Sequence, residues 1–266
     1  MTRLVCLGDS FTEGMCDDPR PDGRYLGWSD RVAWGLARAD LPAFPAPVEY
    51  ANLAVRGKLL DQVVAEQIEP ALALHPDLIT FHGGANDVLR PRTERAALYR
   101  RYEAAVARLV ASGATVVLFT SLTRTGGTGR IADRLDAGFR EFNDSVRAVA
   151  RRYGCVLVDD EAVTALSDRR FWAPDRLHLN EAGHARVAAN VLASLGVTDP
   201  DVLGGPSGWW EQPLPPADPS RRRDALGEDL RWVRVHLVPW IGRRIRGVSS
   251  GDGVLPKDPV PRPIQP

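Results

Sequence analysis

The sequence predicts an α/β protein: a three-layer α/β/α sandwich around a five-stranded parallel sheet, with a helical appendage at its C-terminal end. Two observations carry this expectation. Up to about Val197, short apolar runs alternate with longer segments of helical period. Repeated strand–helix alternation builds a parallel sheet with helices on both faces. The short runs are also apolar almost throughout, as strands covered on both sides must be.

Five runs read as strands: Leu4–Leu7, Val48–Asn52, Leu78–His82, Thr115–Thr120 and Val156–Asp159. Each is rich in Val, Leu, Ile or aromatic residues and too short for a helix. Helical spacing of apolar residues follows in Asp30–Arg38 (Val32, Trp34, Leu36), Leu59–Leu74 (Leu60, Val63, Val64, Ile68) and Leu98–Ala111 (Tyr102, Val106, Leu109). It recurs in Ile131–Tyr153 (Leu135, Phe139, Phe142, Val146, Val149) and Asn180–Leu195 (Val187, Val191), where Asn180 is a fitting N-cap. From Thr198 the texture changes to a stretch rich in Pro, Gly and Asp without a period, which reads as a boundary followed by a linker.

Composition narrows the function classes. The 266 residues are 44% hydrophobic and 26% charged, the balance of a globular protein. Lys plus Arg is 34 and Asp plus Glu is 34, so the basic excess that a nucleic-acid partner demands is missing. No apolar run reaches the length of a membrane span, and the first residues show no leader. Cys6, Cys16 and Cys155 are odd in number and lack metal-site spacing. Reduced thiols in a cytoplasmic protein are expected.

Ligands of a parallel sheet bind beyond the carboxyl ends of its strands. After the first strand stands Gly8-Asp9-Ser10, a turn able either to expose a hydroxyl or simply to cap a helix. After the second, Gly57 precedes a helix, where a backbone can approach a ligand closely. After the third, His82-Gly83-Gly84-Ala85-Asn86-Asp87 offers an amide donor in Asn86, a loop brace in Asp87, and in His82 a packed strand-end residue. Before the last helix, Asp175 and His178 are three apart, so the carboxylate can orient the imidazole. His184, within that last helix, reads as a packing or surface residue.

The order Ser10 in GDS, Gly57, Asn86 in GxND and His178 in DxxH resembles the SGNH hydrolase superfamily, the GDSL-type esterases and lipases. The likeness spans residues 1–197. Each block is weak alone, but four in order at successive strand ends are specific. The first block reads GDSFTEG rather than GDSL, and the third reads GGAND, in which Gly84 still supplies GxND. The resemblance implies a flavodoxin-like fold and a serine esterase. It implies Ser10 as nucleophile, His178 as base and Asp175 as its orienting acid. The Ser10 N–H, the Gly57 N–H and the Asn86 side chain become the oxyanion hole. No metal and no organic cofactor is implied, and the partner is a small-molecule ester.

Two rivals come from other classes. A metal phosphoesterase could use Asp9, Asn86, Asp159 and His178, hard ligands suited to divalent cations. A non-catalytic binding protein could share the fold. The Gly-rich segment Thr125–Gly129 lacks the Lys-Ser/Thr of a P-loop. The loops Met15–Tyr25 and Thr123–Arg130 are polar rather than an apolar lid, so a short acyl group, such as acetyl on a sugar or metabolite, is expected.

In the appendage, 198–266, Trp209 and Trp210 are expected to dock the linker on the core. Leu226, Leu230, Val233 and Leu237 form a helical stripe ended by Pro239. Arg221–Gly247 holds eight arginines against three acids. A basic amphipathic helix can lie on an anionic membrane surface or bind a partner. Packing on its own core, or on a second subunit of a homodimer, is the reading preferred. The tail Ser249–Pro266 reads as disordered.

Overall fold

The computed structural model describes residues 1–39, 41–122, 129–216, 231–239, 242 and 248–265. Strand β1 (Thr2–Leu7) is the axis of the sheet. Its side chains alternate between two apolar layers, Leu4 and Cys6 into one, Val5 and Leu7 into the other. Strand β2 (Val48–Asn52) pairs with it on one side and β3 (Leu78–Phe81) on the other, both parallel. Strands β4 (Thr115–Phe119) and β5 (Val156–Val158) continue outward from β3 in parallel. Because successive connections leave β1 in opposite directions, a crevice opens at the carboxyl ends of β1 and β3.

The helices cover both faces, as expected. One layer holds α2 (Trp28–Ala39) and α7 (Glu181–Ser194), packed through Trp28, Leu36, Val187 and Leu192. The N-cap of α7 is Asn180, whose side chain accepts from the Gly183 N–H. The other layer holds α3 (residues 60–73), α5 (Arg95–Val110) and α6 (Arg130–Tyr153), packed through Leu60, Tyr102 and Phe142. Short helices α1 (Ser10–Glu13) and α4 (Ala85–Val88) start directly at the crevice. The described residues directly after Val197 pack on the core. Helix α8 (Pro200–Leu203) buries Leu203, and Trp210 is buried, with Arg186 donating to the Trp209 and Trp210 carbonyls.

Two expectations are corrected at the C-terminal end. Among the described residues the sheet has six strands in the order β5-β4-β3-β1-β2-β6, not five. The sixth, β6 (Asp258–Ile264), comes from the tail read as disordered and pairs antiparallel with β2. The anchor is electrostatic. Lys257 is 4% exposed and its Nζ lies 2.6 Å from Oδ2 of Asp30, which is fully buried. Arg20 and Arg262 also pair with Asp30, and the Tyr50 hydroxyl donates to it. Burial pushes the Asp30 carboxyl up and the Lys257 amine down, and each is opposed by the other's charge. Residues 231–239 form a further helix, α9, whose middle is a π segment, Val233–Leu237. Of the expected apolar stripe, Leu226 and Leu230 lie outside the described residues, and Val233 is 38% exposed.

Lys257→Ala is expected to destabilise the protein by about 3 kcal/mol in urea unfolding, because it leaves a buried carboxylate short of one partner. A loss below about 1 kcal/mol, the range of a surface pair, would contradict the anchoring role of this contact.

Candidate active site

Gly8 directly follows β1 with φ +153°, and a Cβ there would stand 2.6 Å from both the His82 carbonyl and the Thr12 hydroxyl. Gln67 holds this turn from both sides. Its Oε1 accepts from the Gly8 N–H at 2.8 Å, and its Nε2 donates to the Gly8 carbonyl at 2.9 Å. Gln67 lies in the π segment of α3, Val64–Ile68. Such wide turns commonly re-aim a side chain at a functional site.

Asp9 then caps α1, accepting from the Phe11 N–H, so the helix-cap reading of this block holds. Its second oxygen accepts from Asn86 Nδ2 at 3.1 Å. Ser10, first residue of α1, is half-buried and opens onto a cavity of about 1000 Å³. Gly57, Asn86, Asp175 and His178 line the same cavity. The structure therefore brings all five sequence-selected residues to one place.

The Gly57 loop is fixed by charge. Arg56 forms a forked pair with the buried Glu13 of α1, and its own N–H donates to Glu13 at 2.7 Å. Gly57 itself takes φ +73°, the left-handed region where glycine carries no penalty. Asn86 Nδ2 donates to Asp9 and also to the Lys58 carbonyl at 3.1 Å, tying three strand-end loops together. Asp87 braces the loop as expected, with Oδ2 accepting from the Leu60 N–H at 2.9 Å.

Asp175 Oδ2 lies 2.6 Å from His178 Nδ1. The other Asp175 oxygen accepts from the backbone amides of Leu177 and His178. Burial pushes Asp175 up, but the His178 bond and charge and these amides outweigh it, holding the carboxyl at about 2. Burial pushes His178 down, but the Asp175 hydrogen bond and a contact from the Cys16 thiol outweigh it, raising the imidazole to about 9. The anion thus stabilises the imidazolium that a general base must become.

The remaining histidines near the site behave differently. His184 is buried, its Nε2 is 3.1 Å from the Met15 carbonyl, and burial pushes it down to about 4. His82 packs on the Phe11 ring, with Nδ1 3.4 Å from Asp9.

The metal set considered from sequence is not assembled. Asp159 accepts from Arg147 at 2.7 and 2.9 Å and from the Thr120 hydroxyl. Among the described residues, the one group of His, Cys, Asp and Glu close enough to share an ion is Cys16, Asp175 and His178.

Sequence reasoning missed Gln67 and Arg56, which carry no motif, and the pairing of Glu13, which stands within the first block. It also missed Trp232 of α9, whose indole N–H donates to the Asp175 carbonyl at 2.8 Å.

A mostly parallel six-stranded sheet carrying these residues near its strand ends is an α/β fold of the SGNH hydrolase class. A model of the GDSL-like lipase/acylhydrolase family matches residues 6–186. The chain belongs to that family and is a carboxylic ester hydrolase. Similar solved structures include an acetylxylan esterase from Geobacillus stearothermophilus, with 23% identity, TM-score 0.57, and coverage of 73% of this chain and 94% of that one. An α/β hydrolase from the metagenome of Lake Arreo, Spain, shows 24% identity and TM-score 0.61, covering 74% of this chain and 96% of that one. At these identities the likeness shows the fold. No curated protein matches the chain.

His178 must lose its proton to act as a base, so the structure gives a pH prediction. The rate of ester hydrolysis, as kcat/KM, should climb with pH past the ordinary imidazole value of 6.5, reach half its maximum near 9 and level off only above that. Asp175→Asn should bring that limb down toward 6.5 while lowering the rate by roughly 10²–10⁴. A parent profile already flat above 6.5 would contradict the ion-pair account.

Proposed function

We propose that the protein is a serine esterase that removes a short acyl group, such as acetyl, from a sugar or metabolite alcohol through an acyl-enzyme on Ser10. The observation that carries this reading is the 2.6 Å Asp175–His178 contact opening onto the same cavity as Ser10. The acetylxylan esterase activity of a fold neighbour agrees with it.

In this reading Ser10 Oγ attacks the ester carbonyl while His178 takes its proton. Asp175 keeps the Nδ1 proton in place, so that the other ring nitrogen serves as base. Charge develops on the carbonyl oxygen; the Ser10 N–H and the Gly57 N–H meet it, and the Asn86 amide joins them by exchanging its bond to the Lys58 carbonyl for the oxyanion. One such donor is worth about 3 kcal/mol of transition-state stabilisation. His178 then returns the proton to the leaving alcohol. Water, activated by the same imidazole, cleaves the acyl-enzyme.

The cavity sorts the two halves of the substrate. At about 1000 Å³ it far exceeds an acetyl group, which leaves room for a large alcohol when the acyl group is short. The chemistry needs neither a metal nor an organic cofactor. All three cysteines are free, and no described helix is long and apolar enough to cross a membrane. A cytoplasmic place of action fits the free thiols.

Ser10→Ala should reduce hydrolysis of p-nitrophenyl acetate by about 10⁴ or more while leaving the circular dichroism and melting temperature unchanged. Residual activity within about tenfold of the parent would remove Ser10 from the mechanism. EDTA should not lower the parent rate; a loss restored by a divalent cation would favour the phosphoesterase.

A further inference from the structure

The family match ends at residue 186, yet one wall of the cavity is built from Trp232, Val235, His236, Pro239 and residues 248–250. Trp232 fixes the near end of this wall. Its N–H donates to the Asp175 carbonyl, and its ring lies 4.9 Å from the Arg176 guanidinium. Ser249 fixes the far end, its hydroxyl donating to the Gly57 carbonyl at 3.3 Å. A Cβ on Gly57 would collide with that hydroxyl, and one on Gly251 would collide with the Arg56 carbonyl. Beyond Gly251 the chain is held by the Lys257–Asp30 pair and by β6 on β2. The segment therefore touches both the loop that carries His178 and the loop that carries Gly57.

Which half of the substrate meets the Trp232 end follows from the chemistry. The imidazole must return its proton to the leaving oxygen, so the leaving alcohol lies on the His178 side of the scissile bond. Trp232, Val235 and His236 line the cavity, and Trp232 docks two residues before Leu177 and three before His178 in the chain.

We propose that Trp232, Val235 and His236 form the leaving-alcohol subsite, selecting a bulky alcohol of sugar size that presents an apolar face to the Trp232–Val235 wall and hydroxyls to His236. This inference rests on the esterase reading above. It makes the C-terminal segment a specificity element rather than a membrane device. An apolar wall with a few placed polar groups is the usual construction of such a pocket.

The test compares ethyl acetate with the acetate of methyl glucoside, esters that share the acyl group and differ in the alcohol. Val235→Trp places bulk at a position 52% exposed on the cavity rim, so folding is not at stake. It should lower kcat/KM for the glucoside acetate by about tenfold, mainly through KM, and leave ethyl acetate within about twofold. Trp232→Ala should lower the preference for the glucoside ester by a similar factor. Because it also removes the Asp175 contact, His236→Ala is the second variant, expected to raise KM for the glucoside ester alone. If Val235→Trp and His236→Ala change both esters by the same factor, or neither, the subsite is wrong while the esterase reading stands. A parent protein inactive on both esters would overturn the esterase reading and the subsite with it.

Discussion

Everything at the site hangs from the backbone turn at Gly8. The chain must leave the buried end of β1 and begin α1 within two residues, and no side chain fits between the His82 carbonyl and Thr12. Gln67 accepts from the Gly8 N–H, which would otherwise be buried without a partner, and donates to the Gly8 carbonyl alongside the Val55 N–H. Leaving such an N–H unpaired costs about 1–3 kcal/mol. With that turn locked, Asp9 is delivered to the α1 cap and to Asn86, and Ser10 comes to the cavity rim. One glycine and one glutamine thus set the place of the serine and, through Asp9, that of the amide.

Charge does the rest of the positioning. Glu13 and Arg56 couple α1 to the Gly57 loop, and Asp175 couples to His178. A third set, Asp30 with Lys257, Arg20 and Arg262, holds the C-terminal strand against β2. Buried pairs of this kind add little net stability over apolar packing, but each strongly penalises arrangements that separate its members. Their value here is geometric. They fix three loops and one strand around a cavity that apolar packing alone would leave free to vary.

The five parallel strands and the helices between them were legible because strands buried on both faces must be continuously apolar and amphipathic helices must repeat near every fourth residue. Ser10, Gly57, Asn86, Asp175 and His178 were legible because they stand beyond strand ends in motifs with known chemical uses. The sixth strand was not. DPVPRPI carries prolines at 259, 261 and 263, which argue against a strand on propensity. On an edge, only alternate residues direct their N–H toward the neighbour, so prolines at every second place are tolerated and leave the outer edge unable to recruit another chain. Gln67, Arg56 and Trp232 were invisible for another reason. Each acts through a long-range contact to a backbone or carboxylate, and no local pattern marks such a contact.

The central claim is that Ser10 is a nucleophile activated by the Asp175–His178 pair. Incubation with a fluorophosphonate, followed by peptide mass spectrometry, tests it most directly. The account predicts a single adduct on the peptide containing Gly8-Asp9-Ser10, located on Ser10. It also predicts that His178→Ala loses the adduct and that His184→Ala keeps it. Labelling elsewhere in the chain, or equal labelling with and without His178, would contradict it.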